Sequence, residues 1–123
     1  KVNDSPSIFF KGMTGSILPV PTAHGEGKAV FENEKAIQGS ISSKLIPLQY
    51  VDNSGNVTEK YPLNPNGSPS GITALTTPDG RSTIIMPHPE RAFLSKQLSW
   101  HPENWIKDSP WIKMFSNARE WVN

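Results

Sequence analysis

A chain of 123 residues can enclose one modest core, and its 12 Lys and Arg against 11 Asp and Glu leave a net charge of +1, which favours neither nucleic acid nor an anionic membrane as partner. No apolar run approaches the roughly 20 residues of a membrane span, and the lack of cysteine removes disulfides, thiolate metal sites and the commonest partner of a catalytic histidine. The 12 prolines and 9 glycines lie between apolar segments, so the composition predicts one loop-rich folded domain.

The start, Lys1-Val2-Asn3-Asp4, carries neither an initiator Met nor a signal-peptide core, and the chain looks cut from something longer or processed. Ser5 to Gly12 has a capping residue and proline early and glycine late, which predicts a short helix or turn with Ile8, Phe9 and Phe10 in the core. Ser16 to Ala23 reads as a strand that Pro19 and Pro21 confine to an edge. It runs into His24-Gly25-Glu26-Gly27, whose glycines allow backbone N–H groups to approach a ligand, and Lys28 to Phe31 continues as a second strand.

Asn33 is placed to cap a weak helix over Glu34 to Ile37, loosened by Gly39 and the following serines. Leu45 to Val51 and Val57 to Tyr61, joined by Asp52-Asn53-Ser54-Gly55-Asn56, predict a hairpin. Asn64 to Gly71 is a dense loop that either donates to a ligand or makes consecutive turns, the turns being the safer reading. Gly71 to Thr76 and Arg81 to Met86 flank the tight turn Thr77-Pro78-Asp79-Gly80 and form the clearest strand pair. Phe93 to Leu98 predicts a helical turn, and Trp100 to Trp105 an aromatic loop. Asp108-Ser109-Pro110 starts a last helix whose stripe Trp111, Phe115, Ala118 and Val122 is expected to pack on the sheet, with Lys113, Arg119 and Glu120 in water.

Chemistry concentrates at the end of the apolar run Ser82 to Met86, which reads as a buried strand and stops at Pro87-His88-Pro89-Glu90-Arg91. The two prolines restrict the backbone around His88. In an extended segment His88 and Glu90 share a face about 6.6 Å apart at ~3.3 Å rise per residue. Glu90 can then orient the imidazole, leaving its other nitrogen as a general base that needs only a nucleophile. A rigid turn closing the strand, with His88 satisfied by backbone and Glu90 by Arg91, is the competing reading.

Four blocks, Ala23-His-Gly-Glu-Gly27, Asn64-Pro-Asn-Gly-Ser-Pro-Ser-Gly-Ile72, Pro87-His-Pro-Glu-Arg91 and Ser99-Trp-His-Pro-Glu-Asn-Trp105, together resemble the carboxyl-terminal part of the phosphoribosylformylglycinamidine synthase family. The resemblance covers essentially the whole chain and preserves the order of the blocks. It implies residues 1–123 as the carboxyl-terminal portion of a class I glutamine amidotransferase domain, with a flavodoxin-like α/β sheet flanked by helices. His88 and Glu90 would be the histidine and glutamate of a Cys-His-Glu triad whose cysteine lies upstream. His24, Gly25 and Glu26 would bind glutamine.

The resemblance further implies a cytoplasmic enzyme of purine biosynthesis, a ligase that takes its amide nitrogen from glutamine. Its partners are glutamine and the rest of the same polypeptide, namely the upstream glutaminase half and a synthetase body. This segment is expected to need no cofactor or metal, since ATP and Mg²⁺ belong to the synthetase portion, and to be inactive alone. Two alternatives remain open. One is a metal-binding module using His24, Glu26, His88 and Glu90 as mixed N/O ligands; the other is a non-catalytic interaction domain with the same fold. His101, among tryptophans, reads as structural.

Overall fold

The strand pair forms where turn chemistry and β-branched residues agree. In the computed structural model, which describes every residue except His24 and Glu26, strand β1 (Ala74–Thr76) pairs antiparallel with β2 (Thr83–Ile85). Ala74 faces Ile85, Leu75 faces Ile84 and Thr76 faces Thr83. Gly80, at φ +71°, closes the turn by donating its N–H to the Thr77 carbonyl at 2.9 Å. β2 is not buried as expected: Thr83 and Ile85 are half-buried and Ile84 is 66% exposed, because β1 covers one edge and nothing among the described residues covers the outward face.

An irregular antiparallel array continues from β1. Thr73 N donates to Leu48 O, Tyr50 N to Gly71 O and Asn3 N to Pro47 O. The expected hairpin is reduced to one bridge, Val51 with Val57, around a turn in which the Asp52 carboxylate accepts the Ser54 and Asn56 amides. Segments 16–23 and 28–31 form no strand among the described residues. Pro19 and Pro21 have no N–H to give to a ladder, so their carbonyls serve as isolated acceptors instead.

Helix α1 (Glu34–Ser42) starts where expected, with the Asn33 side chain accepting the Ala36 N–H at 2.9 Å. It runs beyond the expected end. Ser40 and Ser42 bond back to the carbonyls of Ala36 and Gln38, and Gln38 to the Glu34 side chain, which holds the turn around Gly39. Ile37 is its buried anchor.

Helix α2 (Ile112–Trp121) starts just after the expected Asp108-Ser109-Pro110 and buries only part of the expected stripe. Trp111 is buried as expected, but Phe115 is 38% and Val122 71% exposed, and Asn117 is buried in their place. The helix packs on a 3-10 turn, Ile8–Phe10, and not on the sheet. Asn117 Nδ2 donates to the carbonyls of Phe9 and Lys11, both at 2.8 Å, and satisfied donors make a buried amide tolerable.

Two apolar clusters result. One joins Val2, Phe10, Met13, Leu48, Ala92 and Trp111; the other joins Ala29, Ile37, Ile46 and Ile72 beneath β1. Trp111 ties the first together by donating Nε1–H to the Pro19 carbonyl at 2.8 Å.

Candidate catalytic site

Directly after β2 the chain enters Pro87-His88-Pro89, with both prolines buried and His88 half-buried between them. His88 keeps non-helical angles (φ −114°, ψ 78°), and Pro89–Arg91 then coils into a 3-10 turn. Proline suits the first position of such a turn, where no N–H is required. The Arg91 and Ala92 amides close it on the carbonyls of His88 and Pro89. The segment is therefore not extended, and Glu90 is brought round by the turn to hydrogen-bond His88.

The contact is close: His88 Nδ1 lies 2.7 Å from Glu90 Oε1. With a carboxylate accepting at Nδ1, the neutral imidazole carries its proton there and presents the Nε2 lone pair outward. Nε2 has no hydrogen-bond partner among the described residues. This is the arrangement that suits a base to a nucleophile on one side and an orienting acid on the other. The hydrogen bond from His88 holds the Glu90 carboxyl below its usual value, helped by its own backbone amide and by the charges of His88 and Arg91. Arg91 adds charge only, so the competing reading, with His88 satisfied by backbone and Glu90 by Arg91, does not describe the pair.

A depressed carboxyl fixes the sign of a pH effect. The Glu90 contribution to stability is present above the ordinary carboxylate value and fades as pH falls through the lower folded-state value. A ¹³C titration of the Glu90 carboxyl is expected to give a midpoint below that of a free glutamate, and His88→Ala is expected to raise it toward normal, the Glu90 amide and Arg91 keeping a remainder of the shift. A midpoint unmoved by His88→Ala would place the cause elsewhere.

The chain just before the first motif is joined to the His88 segment through the main chain. His88 N donates to the Pro21 carbonyl at 2.8 Å, three residues before His24. Of the three residues expected to bind glutamine, Gly25 is an exposed bend, while His24 and Glu26 lie outside the described residues. The mixed metal site depends on those same two residues. Among the described residues no group of three His, Cys, Asp or Glu side chains converges.

Positioning residues that the sequence reading did not single out come from the Asn64–Gly71 loop. Asn66 Nδ2 donates to the Gly27 carbonyl at 2.8 Å and lies 3.6 Å from Met86 Sδ, so one side chain bridges the two motif segments. Ser68 Oγ accepts the Ala29 amide at 3.1 Å, and buried Asn64 binds Thr58 O and Ser68 O. The loop spends its polar groups on the protein, as consecutive turns do. Its density of Asn and Ser between prolines was the available signal.

Beside Pro87 and Thr22 opens a cleft of about 620 Å³, floored by Tyr50, Thr73 and Trp111. Ser95 N to Lys107 O and Ser109 N to Phe93 O clamp the base of the aromatic loop, and His101 Nδ1 is 2.9 Å from the Pro102 carbonyl. In a comparison with known protein families, one family model matches residues 1–122; it describes a CobB/CobQ-like glutamine amidotransferase domain.

Proposed function

Because the chain belongs to the CobB/CobQ-like glutamine amidotransferase domain family, we propose that it supplies the histidine and glutamate of a glutaminase whose nucleophilic cysteine lies on an upstream segment. The observation that carries the reading is the 2.7 Å contact between His88 Nδ1 and Glu90 Oε1, which leaves Nε2 for a thiol. The chain itself has no cysteine.

Thiolate attack on the glutamine side-chain amide gives a tetrahedral intermediate. His88 passes its proton to the departing ammonia, leaving an acyl-enzyme, and then activates the water that releases glutamate. Glu90 holds the imidazole tautomer and stabilises its cation. His24, Gly25 and Glu26 hold the α-amino and α-carboxylate groups of glutamine in this reading. The main-chain link from His88 to Pro21 supports it by joining the two segments.

Within the family, the four sequence blocks favour phosphoribosylformylglycinamidine synthase. The ammonia would then serve the ATP-dependent conversion of formylglycinamide ribonucleotide to formylglycinamidine ribonucleotide in the cytoplasm, with ATP and Mg²⁺ held by the synthetase portion. Residues 1–123 would be the carboxyl-terminal part of a larger flavodoxin-like domain, and the exposed Ile84 face of β2 suits such a covering.

The purified chain, incubated with glutamine, is expected to release no glutamate above the uncatalysed rate. The full-length amidotransferase should release it readily and lose that ability when its nucleophilic cysteine is replaced by alanine. Turnover by the isolated chain would overturn the division of the triad between two segments.

A further inference from the structure

Residues 1–3 lie as the middle line of an antiparallel ladder. Lys1 N and Gln49 N each donate to the other's carbonyl, at 2.8 and 3.1 Å, and Asn3 N donates to Pro47 O. Val2 bonds to the other side, giving its N–H to Ser16 O and accepting from Gly15 N. Beyond Lys1 the two flanking segments run on, and the cleft of about 620 Å³ lies there, with Leu18 and Val20 on one wall, Val51 on the other and Lys1 in its lining. We propose that this cleft seats one further strand, formed by the residues of the amidotransferase that immediately precede Lys1. The proposal rests on the reading that the cysteine-bearing part lies upstream.

Main-chain parity carries the argument. Pro19 O accepts from Trp111 Nε1 and Pro21 O from His88 N, both at 2.8 Å, so the odd-numbered groups of this segment bond away from the cleft. Successive residues of an extended chain bond to alternate sides, which turns the N–H and C=O of Leu18 and Val20 toward the cleft. None of these four groups has a hydrogen-bond partner among the described residues. The prolines thus fall on the edge where no N–H is required. On the facing wall Tyr50 O and Asp52 N are engaged with Thr58 N and Asn56 O, which leaves the N–H and C=O of Val51 turned to the cleft, again without a partner among the described residues. Leu18, Val20 and Val51 are only half-buried, so an incoming chain can reach them. Donor and acceptor pairs at every second residue on two facing edges suit a β-strand; a small ligand has no groups repeating at that period.

The Lys1–Gln49 pair sets the register. The first residue upstream of Lys1 bonds to Leu18, the second to Val51 and the third to Val20. The first shares a face with buried Val2, so its side chain lies on the floor made by Tyr50, Thr73 and Trp111. The incoming strand borders the segment whose Pro21 carbonyl holds His88, and so locks the upstream part of the enzyme to its candidate base.

Hydrogen exchange and disulfide trapping in the full-length amidotransferase test the strand. The Leu18, Val20 and Val51 amides are expected to exchange on the order of 10²-fold or more slower than in an unstructured peptide. Val51→Cys, combined with a cysteine at the second residue upstream of Lys1, is expected to close a disulfide within one polypeptide, since directly opposed residues of this kind have Cα atoms about 5.5 Å apart. Moving the upstream cysteine to the first residue turns it to the other face and should prevent closure. Fast exchange at the three amides, or no disulfide in the stated register, would overturn the strand. A disulfide between two polypeptides would give the cleft to a second copy, and protection seen only with added glutamine would give it to the substrate. Glutamine hydrolysis by the same preparation separates the two readings. Unprotected amides in an enzyme that needs its upstream cysteine refute the strand alone, whereas protected amides in one that hydrolyses glutamine without that cysteine refute the divided triad alone.

Discussion

Replacing His88 with alanine is expected to abolish glutamine-dependent product formation in the full-length amidotransferase while leaving ammonia-dependent formation intact. In the proposed mechanism the imidazole takes and returns the proton, and general acid–base catalysis contributes roughly 10²–10⁴-fold. Loss of a histidine that works as a unit with its nucleophile can cost more. The backbone is not at risk, because the bond that joins this segment to Pro21 comes from the main-chain N–H of residue 88. Glu90→Ala should be milder, since the imidazole remains but no longer has a carboxylate 2.7 Å from Nδ1 to fix its tautomer. Both variants should recover when an ammonium salt replaces glutamine. Equal losses with the two nitrogen sources would mean that His88 supports the fold or a later step.

Gly80→Ala is expected to be the most damaging single-atom addition to the fold. A Cβ there would lie 1.9 Å from the Pro6 carbonyl oxygen, backbone that cannot rotate away, and φ is +71°. Moving either the turn or the Pro6 segment breaks the Ile8 N to Gly80 O bond and the Ser7–Thr83 hydroxyl pair that dock the amino-terminal turn on the sheet. Left-handed backbone strain costs on the order of 1–3 kcal/mol, and overpacking typically adds about 1–3 kcal/mol. For a domain of this size the total corresponds to a drop in Tm on the order of 10 °C or more. Gly39→Ala is the internal contrast. It sits within α1 with open space where the Cβ would go, so it should raise stability by up to about 1 kcal/mol. Thermal unfolding of the two variants decides the matter, and a Gly80→Ala protein as stable as wild type would refute the packing argument.

How much of this was visible in the sequence depends on whether local chemistry or a distant partner decides each element. The β1–β2 pair was legible because Pro78, Asp79 and Gly80 specify the turn within four residues, and Asn33 announced α1 in the same way. The inward face of α2 was legible at Trp111 but not beyond it. An apolar stripe points to Phe115 and Val122, but the partner is a 3-10 turn over a hundred residues away, whose free carbonyls select Asn117. No periodicity rule ranks a buried asparagine above a phenylalanine. Segment 16–23 looked like a strand from its apolar residues, yet its prolines left only carbonyls, which Trp111 and His88 use.

At the site itself the residue pair was legible and its geometry was not. Two prolines around a histidine suggested extended backbone, but Pro89 instead opens a turn that folds Glu90 back. The outcome, contact between His88 and Glu90, is the same by either route. The roles of Asn66 and Ser68 needed coordinates, since their partners at Gly27, Met86 and Ala29 are far along the chain.

The bonds from Asn117 to Phe9 and Lys11 also set a clock for biosynthesis. They span 108 and 106 residues, and the Trp111–Pro19 bond spans 92. A ribosome adding roughly 5–20 residues per second needs on the order of 5–20 s to bridge that distance. During that interval Phe9, Phe10 and the Pro19 carbonyl have been made but lack their closing partner. The nascent chain is therefore expected to stay protease-sensitive until α2 clears the exit tunnel, and to become resistant in one late step. Ribosome-stalled chains of increasing length, pulsed with protease, would display that step as a sharp threshold beyond residue 117.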